Sequence, residues 1–572
     1  MAAAYPVGMQ ILLDILDESA TRFGDRPALS LRRDDGTSEA WSYRDLERRS
    51  RAAAWRLRAV GLQPGDRLLV WSPATPAVPA VYFGAIRAGV VLVPLDLRMA
   101  PDAVERIAAA SEASRLALGT GRDAPDPREA GLERFPMSTV EDLAAEPDPD
   151  WPVDWQAQLA TWPRPRPDDL FEIIFTSGTT GTPKGVMLSH ANVVATVETA
   201  HNAIPPQEHR LVSLLPLSHL MEQAITLFYA LTVGADILYV RSRNPRVIFE
   251  AIRDHHVTTM LVVPQILELF WSSIEREVDR SGRRASWERL RRVARHLPYP
   301  ARRLLFRRVH RQFGGGLNLF VCAAAFLPPT LQQAWEDLGV VVMQGYGATE
   351  CGPASATSKA DHGLGTVGRT IPPVRVKLAD DGEILVSGPT VFGGYWRNPT
   401  ATAAAFTADG WYRTGDIGRH DEAGHLILMG RTKDIIVLPN GLNVYPEDIE
   451  NALRIAGIRD SVVIETRPGR IEAVVLAPAG AGSPDQGPLA DGAKGRDAAR
   501  GRDAGELRAE LESAVKTANR ALSQQQRIAA WRLWPEADFP RTHTLKVKRD
   551  QVRAWVAIDQ RLPASQETVT GR

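Results

Sequence analysis

The fold is decided by the stretch Phe175-Thr-Ser-Gly-Thr-Thr-Gly-Thr-Pro-Lys184-Gly185, a loop rich in hydroxyl groups and glycine. Apolar runs lead into this loop and out of it, so the sequence predicts a turn held between two strands. Gly178 and Gly181 can adopt positive φ and let backbone N–H groups approach an anion, while the hydroxyl groups add donors. Lys184 adds a positive charge. Together these groups are the ligands that a triphosphate requires.

The composition is that of a globular protein in a reducing compartment. Hydrophobic residues make up 44% of the 572 residues and charged residues 24%, as in ordinary soluble domains. Acidic and basic residues number 68 each, so no overall field attracts nucleic acid, and none is expected as a partner. The two cysteines, Cys322 and Cys351, argue against a disulfide-bonded secreted protein. The apolar stretch 77–95 is broken by proline and arginine, which excludes it as a membrane span.

Strand and helix patterns alternate along much of the chain. A helical pattern ends at Gly24, a second begins after Ser42, and short apolar runs such as the one at 67–71 indicate buried strands. The alternation resumes after the loop and indicates parallel sheets covered by helices, an α/β fold. Between 121 and 169 the chain is rich in Pro, Asp and Trp without sustained periodicity, so we expect a long surface connection there.

The spacing within the loop excludes a Walker A nucleotide site. In a Walker A loop, four residues separate the first glycine from Gly-Lys-Ser/Thr. Here the four residues after Gly178 are followed by Pro183-Lys184 instead. The ten residues from Thr176 to Gly185 instead resemble the signature of the adenylate-forming superfamily, which includes acyl-CoA synthetases, peptide-synthetase adenylation domains and firefly-type luciferases. The resemblance covers roughly residues 26–549.

Further stretches follow the order of motifs in this superfamily. They are Gln344-Gly-Tyr-Gly-Ala-Thr-Glu350, Gly410-Trp-Tyr-Arg-Thr-Gly-Asp416 and Pro540-Arg-Thr-His-Thr-Leu-Lys546. Leu215-Pro-Leu-Ser-His219 and the form of the last motif, with leucine before the lysine, resemble the long-chain fatty acyl-CoA synthetase branch.

The resemblance implies a large N-terminal domain of mixed and parallel sheets layered with helices, plus a small mobile α+β C-terminal domain. Residues 1–430 are expected to bind ATP and the acyl group, 431–433 to form a hinge that pivots at Lys433, and 434–572 to form the small lid domain. A Gly-, Ala-, Asp- and Pro-rich insert near 478–504 is expected to be flexible.

The resemblance also implies roles for individual residues. Tyr346 is expected to stack on adenine, Thr349 to lie near the α-phosphate, Glu350 to bind Mg²⁺, and Asp416 to accept hydrogen bonds from the ribose. A carboxylate suits a hard cation. The residues expected to bind ATP or AMP are Thr176, Ser177, Gly178, Thr179, Thr180, Gly181, Lys184, Ala324, Gly345, Tyr346, Gly347, Thr349, Asp416 and Arg431. Around Ala324 the chain has Ala323-Ala-Ala-Phe-Leu327, where many members carry Gly-Gly-Ala-Pro-Leu beside adenine.

Catalysis must neutralise and align charge, because a carboxylate has to attack the α-phosphate of ATP. We assign Lys184 and Thr180 to the β- and γ-phosphates, Glu350 to Mg²⁺, and Lys546 to the charge that develops at phosphorus. Lys548 is the rival of Lys546 by proximity. Acyl-adenylate and pyrophosphate are the products. Rotation of the small domain then withdraws Lys546 and admits the thiol of CoA.

Two further features carry expectations about substrate and surface. His219 lies beside the acyl pocket by resemblance, and we interpret it as a gate or orienting residue, because the acid is already ionised near neutral pH. Arginines crowd residues 276–311. A solvated pair of basic helices is favoured there over peripheral contact with anionic lipid or with the phosphates of CoA.

The leading functional hypothesis is ATP-dependent ligation of a medium- to long-chain fatty acid to CoA in the cytoplasm or at the inner membrane surface. One alternative hands the acyl group to a separate carrier protein. Another is a catalytically silent acyl-nucleotide-binding protein, which is disfavoured because Lys184, Glu350, Asp416 and Lys546 all occur.

Overall fold

The computed structural model describes residues 8–33, 35–176, 183–242, 244–361, 363–439, 442–477, 504–541 and 547–559. The chain divides into two compact units. The larger comprises residues 1–377, 385–414 and 420–427, and the smaller comprises 378–384, 415–419 and 428–572. Within the described residues, no helix is both long enough and apolar enough to cross a bilayer.

The helices are distributed over both units. The larger unit contains α1 Leu12–Phe23, α2 Tyr43–Ala59, α3 Ala77–Ala88, α4 Pro101–Ser111, α5 Val140–Leu143, α6 Trp155–Ala160, α7 His190–Ala203, α8 Ala230–Thr232, α9 Pro245–Asp254, α10 Pro264–Arg280, α11 Arg284–Ala294, α12 Tyr299–Leu305, α13 Arg307–Gln312, α14 Pro329–Asp337 and α15 Pro399–Ala404. The smaller unit contains α16 Pro446–Ile455, α17 Ala504–Ala521 and α18 Arg549–Asp559. A π-helix spans Glu222–Tyr229, and 3₁₀ turns span Thr432–Asp434 and Gln524–Gln526.

The strands of the larger unit are β1 Pro27–Arg32, β2 Ser38–Ser42, β3 Arg67–Trp71, β4 Val91–Pro94, β5 Arg115–Leu118, β6 Met137–Thr139, β7 Leu170–Thr176, β8 Lys184–Ser189, β9 Arg210–Ser213, β10 Asp236–Val240, β11 Thr259–Val262, β12 Leu319–Cys322, β13 Val341–Ala348, β14 Gly352–Ala356 and β15 Arg369–Thr370. The division between the units falls within the sequences of β16 Arg375–Leu378, β17 Glu383–Ser387, β18 Tyr412–His420 and β19 Leu426–Arg431. The smaller unit adds β20 Ile436–Val437, β21 Asn443–Val444, β22 Ser461–Arg467, β23 Arg470–Val475 and β24 Ala530–Leu533.

Two sheets organise the larger unit, as the alternation of strands and helices predicts. In the described residues one sheet has the order β15-β14-β13-β12-β11-β9-β10-β1-β2 and the other the order β6-β5-β3-β4-β7-β8. Strands β1, β10, β9, β11, β12 and β13 run parallel, while β2 and β14 pair antiparallel at the two ends of this parallel set. The mixed α/β fold with a large unit of sheets and helices is therefore confirmed.

Local sequence explains where key helices begin. Ser42 and Asp45 form a reciprocal capping box at the start of α2, and Ser189 does the same with Asn192 at the start of α7. Such caps satisfy the N–H groups that have no partner within the helix. The second cap fixes where the chain turns after β8, directly downstream of the predicted phosphate loop.

The expectation of a plain surface connection at 121–169 was wrong. The segment contains β6, α5 and α6. Its tryptophans pack around Trp55 of α2, with ring centres 6.1 Å away for Trp151, 6.0 Å for Trp155 and 6.1 Å for Trp162. Aromatic burial holds this segment in place. Periodicity could not reveal it, because each element is too short to show a repeat.

Candidate active site

The predicted phosphate loop lies between two antiparallel strands. β7 and β8 pair in a register that puts Thr176 opposite Lys184, so the loop begins and ends at facing positions. Thr176 Oγ1 lies 3.5 Å from the carbonyl oxygen of Lys184. A Cβ atom on Gly185 would lie 2.7 Å from Ile173 Cγ2, so the position after the lysine needs glycine. The loop residues assigned to phosphate, Ser177, Gly178, Thr179, Thr180 and Gly181, lie outside the described residues.

Lys184 and Glu350 both contact the side chain of Tyr395. Lys184 Nζ is 5.0 Å from the centre of the Tyr395 ring, a geometry worth about 0.5–2 kcal/mol. Tyr395 Oη donates a hydrogen bond of 3.2 Å to Glu350 Oε1. The structure thus brings together the lysine that the sequence assigns to phosphate and the glutamate that it assigns to Mg²⁺.

Backbone hydrogen bonds hold residues 392–396 against both sides of this site. Trp396 N donates to Gly185 O over 2.7 Å, and Phe392 N donates to Glu350 O over 2.8 Å. The segment therefore connects the start of β8 with the end of the Gln344–Glu350 motif.

Tyr395 is a residue that sequence reasoning missed. Burial raises the pKa of its hydroxyl, and the Glu350 carboxylate raises it further, so the phenol stays protonated and donates. Its hydrogen-bond partner lies 45 positions away, and no local pattern marks it. The glycine before it, Gly394, is the one hint in the neighbouring sequence. The structure explains this glycine, because a Cβ atom there would lie 2.7 Å from Thr402 Cγ2.

The motif from Gln344 to Glu350 extends β13 beyond the apolar run that predicts it. Gly345 and Gly347 pair antiparallel with β14, and a Cβ atom on Gly347 would lie 2.2 Å from Gly352 O. Glycine is therefore required for this close approach. Tyr346 is buried, while Thr349 and Glu350 are half-buried.

Ala324 lies at the same sheet edge as Tyr346. β12 and β13 are parallel neighbours, so the residues that follow their carboxyl ends meet at one edge, where ligands commonly bind in such sheets. Ala324 has φ of 73°, a region that favours glycine, and its side chain is exposed. The alanine thus adopts a left-handed conformation, which glycine would reach without strain.

A buried carboxylate orients His219. His219 Nε2 lies 3.0 Å from Oδ2 of Asp96, and Arg98 donates to both oxygens of Asp96 over 2.9 and 3.1 Å. Burial would raise the pKa of Asp96, but the hydrogen bonds from His219 and Arg98 outweigh burial and hold this pKa well below its usual range. Asp96 is therefore ionised at neutral pH and fixes the imidazole through Nε2. The sequence did not single out Asp96, because only the fold brings it to His219.

A buried polar network supports the loop that carries His219. Gln223 Nε2 donates to Leu217 O over 2.9 Å and to Glu172 Oε2 over 3.0 Å. Burial raises the pKa of Glu172 and of Glu222 to about 8, so both carboxyl groups are mostly protonated at neutral pH. Glu222 opens the π-helix, a local geometry that is frequent at functional sites.

In the smaller unit, Asp416 and Arg431 form an ion pair, with 2.9 Å between Arg431 Nε and Asp416 Oδ1. Burial raises the pKa of the nearby Glu447. The positive charge of Arg549 lowers this pKa, and the negative charge of Asp416 raises it. The two residues that the sequence assigns to ribose and nucleotide therefore lie next to each other in a cluster of charges.

Lys433, the predicted hinge residue, lies in the 3₁₀ turn Thr432–Asp434 and is exposed. Its neighbour Asp434 is buried and accepts a hydrogen bond of 3.0 Å from Arg553 Nη2. The turn is therefore anchored on one side of Lys433. Lys546, assigned to catalysis, lies outside the described residues.

Glu350 fits a magnesium ion that is completed by phosphate oxygens. In the described part of the chain, no cluster of three or more His, Cys, Asp or Glu side chains could hold a metal by itself. Mg²⁺ is usually bound by one or two carboxylates together with substrate phosphates and water. One carboxylate near a lysine that the sequence assigns to phosphate matches that pattern.

The sequence pattern of the family described as AMP-binding enzyme matches residues 16–396, and the chain belongs to this family. It has the α/β fold of adenylate-forming enzymes and falls in the class of adenylate-forming acyl-CoA ligases.

Named relatives cover most of the chain. A Mycobacterium bovis protein named long-chain-fatty-acid--CoA ligase FadD15 is 31% identical over 556 residues, which covers 89% of this chain and 90% of the relative. A feruloyl-CoA synthase from Amycolatopsis is 29% identical over 473 residues, covering 77% and 84%.

Solved structures with low identity share the fold. O-succinylbenzoate coenzyme A synthetase from Bacillus subtilis, in complex with ATP and magnesium ion, matches with a TM-score of 0.71 at 20% identity, covering 94% of this chain and 99% of that chain. The adenylation domain of a carboxylate reductase from Mycobacterium chelonae matches with a TM-score of 0.74 at 22% identity, covering 97% and 91%.

Proposed function

We propose that the protein uses ATP to activate a medium- to long-chain fatty acid as an acyl-adenylate and then transfers the acyl group to CoA. The observation that carries this proposal is the convergence of Lys184 and Glu350 on Tyr395. The name of the relative that is 31% identical over most of both chains supports a long-chain acid.

In the first half-reaction, Lys184 and the loop residues Ser177 to Gly181 neutralise the β- and γ-phosphates. Glu350 holds Mg²⁺, which when bound supplies Lewis-acid charge at the phosphate oxygens. Lys546 stabilises the charge that develops on the α-phosphate while the acid carboxylate attacks. The bond between the α- and β-phosphates breaks, and pyrophosphate leaves.

The nucleoside end of ATP is assigned to a separate set of residues. Tyr346 and Ala324 approach adenine, Thr349 lies near the α-phosphate, and Asp416 and Arg431 hold the ribose and nucleotide. The ion pair between Asp416 and Arg431 supports their joint role.

The second half-reaction needs the site to release Lys546 and admit a thiol. We assign this change to rotation about Lys433 within the hinge 431–433, between a large domain 1–430 and a lid domain 434–572. His219, held by Asp96, gates or orients the acyl chain. The thiol of CoA attacks the acyl carbonyl, AMP leaves, and the acyl group is protected from water throughout.

We further propose that the protein works in the cytoplasm or at the inner membrane surface. The fatty acid, ATP and CoA are then its small-molecule partners. Delivery to a carrier protein is the alternative for the second step.

One experiment separates these functions. Pyrophosphate release and thioester formation are measured for acids of increasing chain length and for ferulate, with CoA or with an acyl carrier protein. We expect pyrophosphate release with medium- and long-chain acids and thioester only with CoA. Preference for ferulate, or thioester only on the carrier protein, would contradict the proposed substrate or acceptor. ATP binding without any pyrophosphate release would indicate a silent binding protein.

A further inference from the structure

Helices α10 to α13 carry an unusual number of exposed apolar side chains. Leu304 is 70% exposed and Val293 53% exposed, and the other large apolar residues exposed in this region are Leu269, Leu290 and Leu305. Scattered single leucines on a surface need no explanation, but a concentration of them marks an interaction site.

Arg280 and Arg284 form ion pairs with acidic side chains of α10 and α11. The other eleven arginines of residues 276–311 fall into two groups. Arg291 and Arg295 pair with the buried Asp337, and Arg302 and Arg303 donate to backbone carbonyl oxygens, so these four hold the helices together. The second group is exposed and has no ion pair with any described residue. Its members are Arg276, Arg283, Arg289, Arg292, Arg307, Arg308 and Arg311.

Charge and apolar surface occur on the same helices. On α11, Leu290 and Val293 are three residues apart and share one face, while Trp287 and Ala294 are buried. Trp287 packs on Phe306 at a ring distance of 5.2 Å, which brings α11 next to the segment with Leu304 and Leu305. On α13, the exposed residues Arg307 and Arg311 share a face by their spacing of four.

Exposed arginines alone would suit several kinds of ligand. The combination of exposed arginines with exposed leucines distinguishes between them. The phosphates of CoA, or a nucleic acid, need cations but no exposed leucine. A second copy of the chain offers leucine, but it would bring a like charge, because residues 264–312, which span α10 to α13, hold thirteen arginines and five acidic residues. An anionic bilayer offers both phosphate groups and an apolar layer directly beneath them.

We propose that the exposed face of helices α10 to α13 docks on an anionic phospholipid bilayer. The arginines contact headgroup phosphates, and the leucine and valine side chains enter the boundary between headgroups and acyl chains. The benefit to catalysis rests on the proposed function, because medium- and long-chain fatty acids partition into bilayers. The docking itself does not require catalysis.

Flotation with lipid vesicles tests the surface. The full chain is mixed with vesicles of phosphatidylcholine alone or with about one third phosphatidylglycerol, and bound protein is quantified against lipid concentration. We expect binding only to the anionic vesicles. Each arginine near an anionic surface strengthens binding about fivefold, so the triple variant R307Q, R308Q, R311Q should bind about a hundredfold more weakly. The double variant V293S, L304S should lose the part of the binding that persists at high salt.

Matched variants control for charge and hydrophobicity. The triple variant R122Q, R134Q, R527Q removes three exposed arginines elsewhere, and I455S, I558S removes two exposed isoleucines of the smaller unit. Both should bind vesicles like the native chain. Circular dichroism verifies that every variant is folded.

Several outcomes would overturn the proposal. They are equal binding to neutral vesicles, no loss in the R307Q, R308Q, R311Q variant, equal loss in the control variants, or an effect confined to the KM for CoA or to nucleic acid binding. Activity on octanoate without vesicles is measured in parallel and should be equal in native and docking-surface variants. Vesicle binding without any ligase activity would refute the proposed function while the docking surface stands, and activity without vesicle binding would do the reverse.

Discussion

Replacement of Tyr395 by phenylalanine isolates one contact of the candidate site. The ring that faces Lys184 Nζ at 5.0 Å remains, and so do the backbone hydrogen bonds of residues 392–396. Only the hydroxyl is lost, and with it the 3.2 Å hydrogen bond to Glu350 Oε1. The variant therefore asks whether the orientation of this carboxylate matters for adenylation.

The expected effect follows from the strength of that hydrogen bond. A hydrogen bond to a charged group contributes about 1.5–3 kcal/mol, and a distance of 3.2 Å lies at the weak end for a hydroxyl donor. We expect a loss near the lower limit, which corresponds to about tenfold in kcat/KM for ATP. A higher Mg²⁺ concentration should also be needed for half-maximal rate, because the metal ligand is less well positioned.

The assay is acid-dependent pyrophosphate release at varied MgCl₂, together with thioester formation from synthetic acyl-adenylate and CoA. The rate of the second reaction should be unchanged, because that reaction neither uses nor releases pyrophosphate and does not require the site for the β- and γ-phosphates. Tyr229→Phe is the matched control, because it removes another buried phenol hydrogen bond, of 3.1 Å to His209, from the same unit. An unaltered Mg²⁺ dependence, or an equal loss in Tyr229→Phe, would refute the reasoning.

Three further changes have defined outcomes. Ala324→Gly should stabilise the protein by about 0.5–1 kcal/mol, because glycine adopts φ of 73° without strain; urea denaturation measures this, and a loss of stability would contradict it. Lys546→Ala should nearly abolish pyrophosphate release while preformed acyl-adenylate still reacts with CoA, and equal loss in both steps would speak against two separate roles. His425 donates to Asp361 and Asp421 over 2.7 and 3.0 Å, and these contacts, that to Asp361 first, raise its pKa. The resulting stability is fully present below about pH 6.5, the unfolded value, and is lost as the pH rises through the raised pKa. The melting temperature of His425→Gln should therefore lack this decline with pH. Curves of melting temperature against pH that run parallel for the native protein and the variant would contradict the prediction.

Much of the fold could be predicted because its signals are local. The strands around the phosphate loop appear as apolar runs, and β7 and β8 confirm them. Ser42 predicts the start of α2 through its cap. The helical pattern predicted to end at Gly24 is α1, and Gly24 is its C-terminal cap.

The contacts of the candidate site could be predicted only in part, because they join distant residues. Lys184 and Glu350 belong to motifs, but Tyr395 between them does not. Asp96 reaches His219 across 123 positions, and neither residue's neighbours in the sequence indicate the other. Glu222 is an acidic residue in an apolar run, and its protonated state follows from burial that only the tertiary structure shows.

The most direct test of the account is exchange of radioactive pyrophosphate into ATP. With Mg²⁺ and a long-chain fatty acid but no CoA, we predict rapid exchange, because acyl-adenylate formation is reversible while the adenylate stays bound. Exchange should disappear when the acid is omitted and should fall sharply in Lys184→Ala. Absence of exchange with every carboxylic acid tried, in a folded protein that binds ATP, would contradict the claim that this site forms an acyl-adenylate.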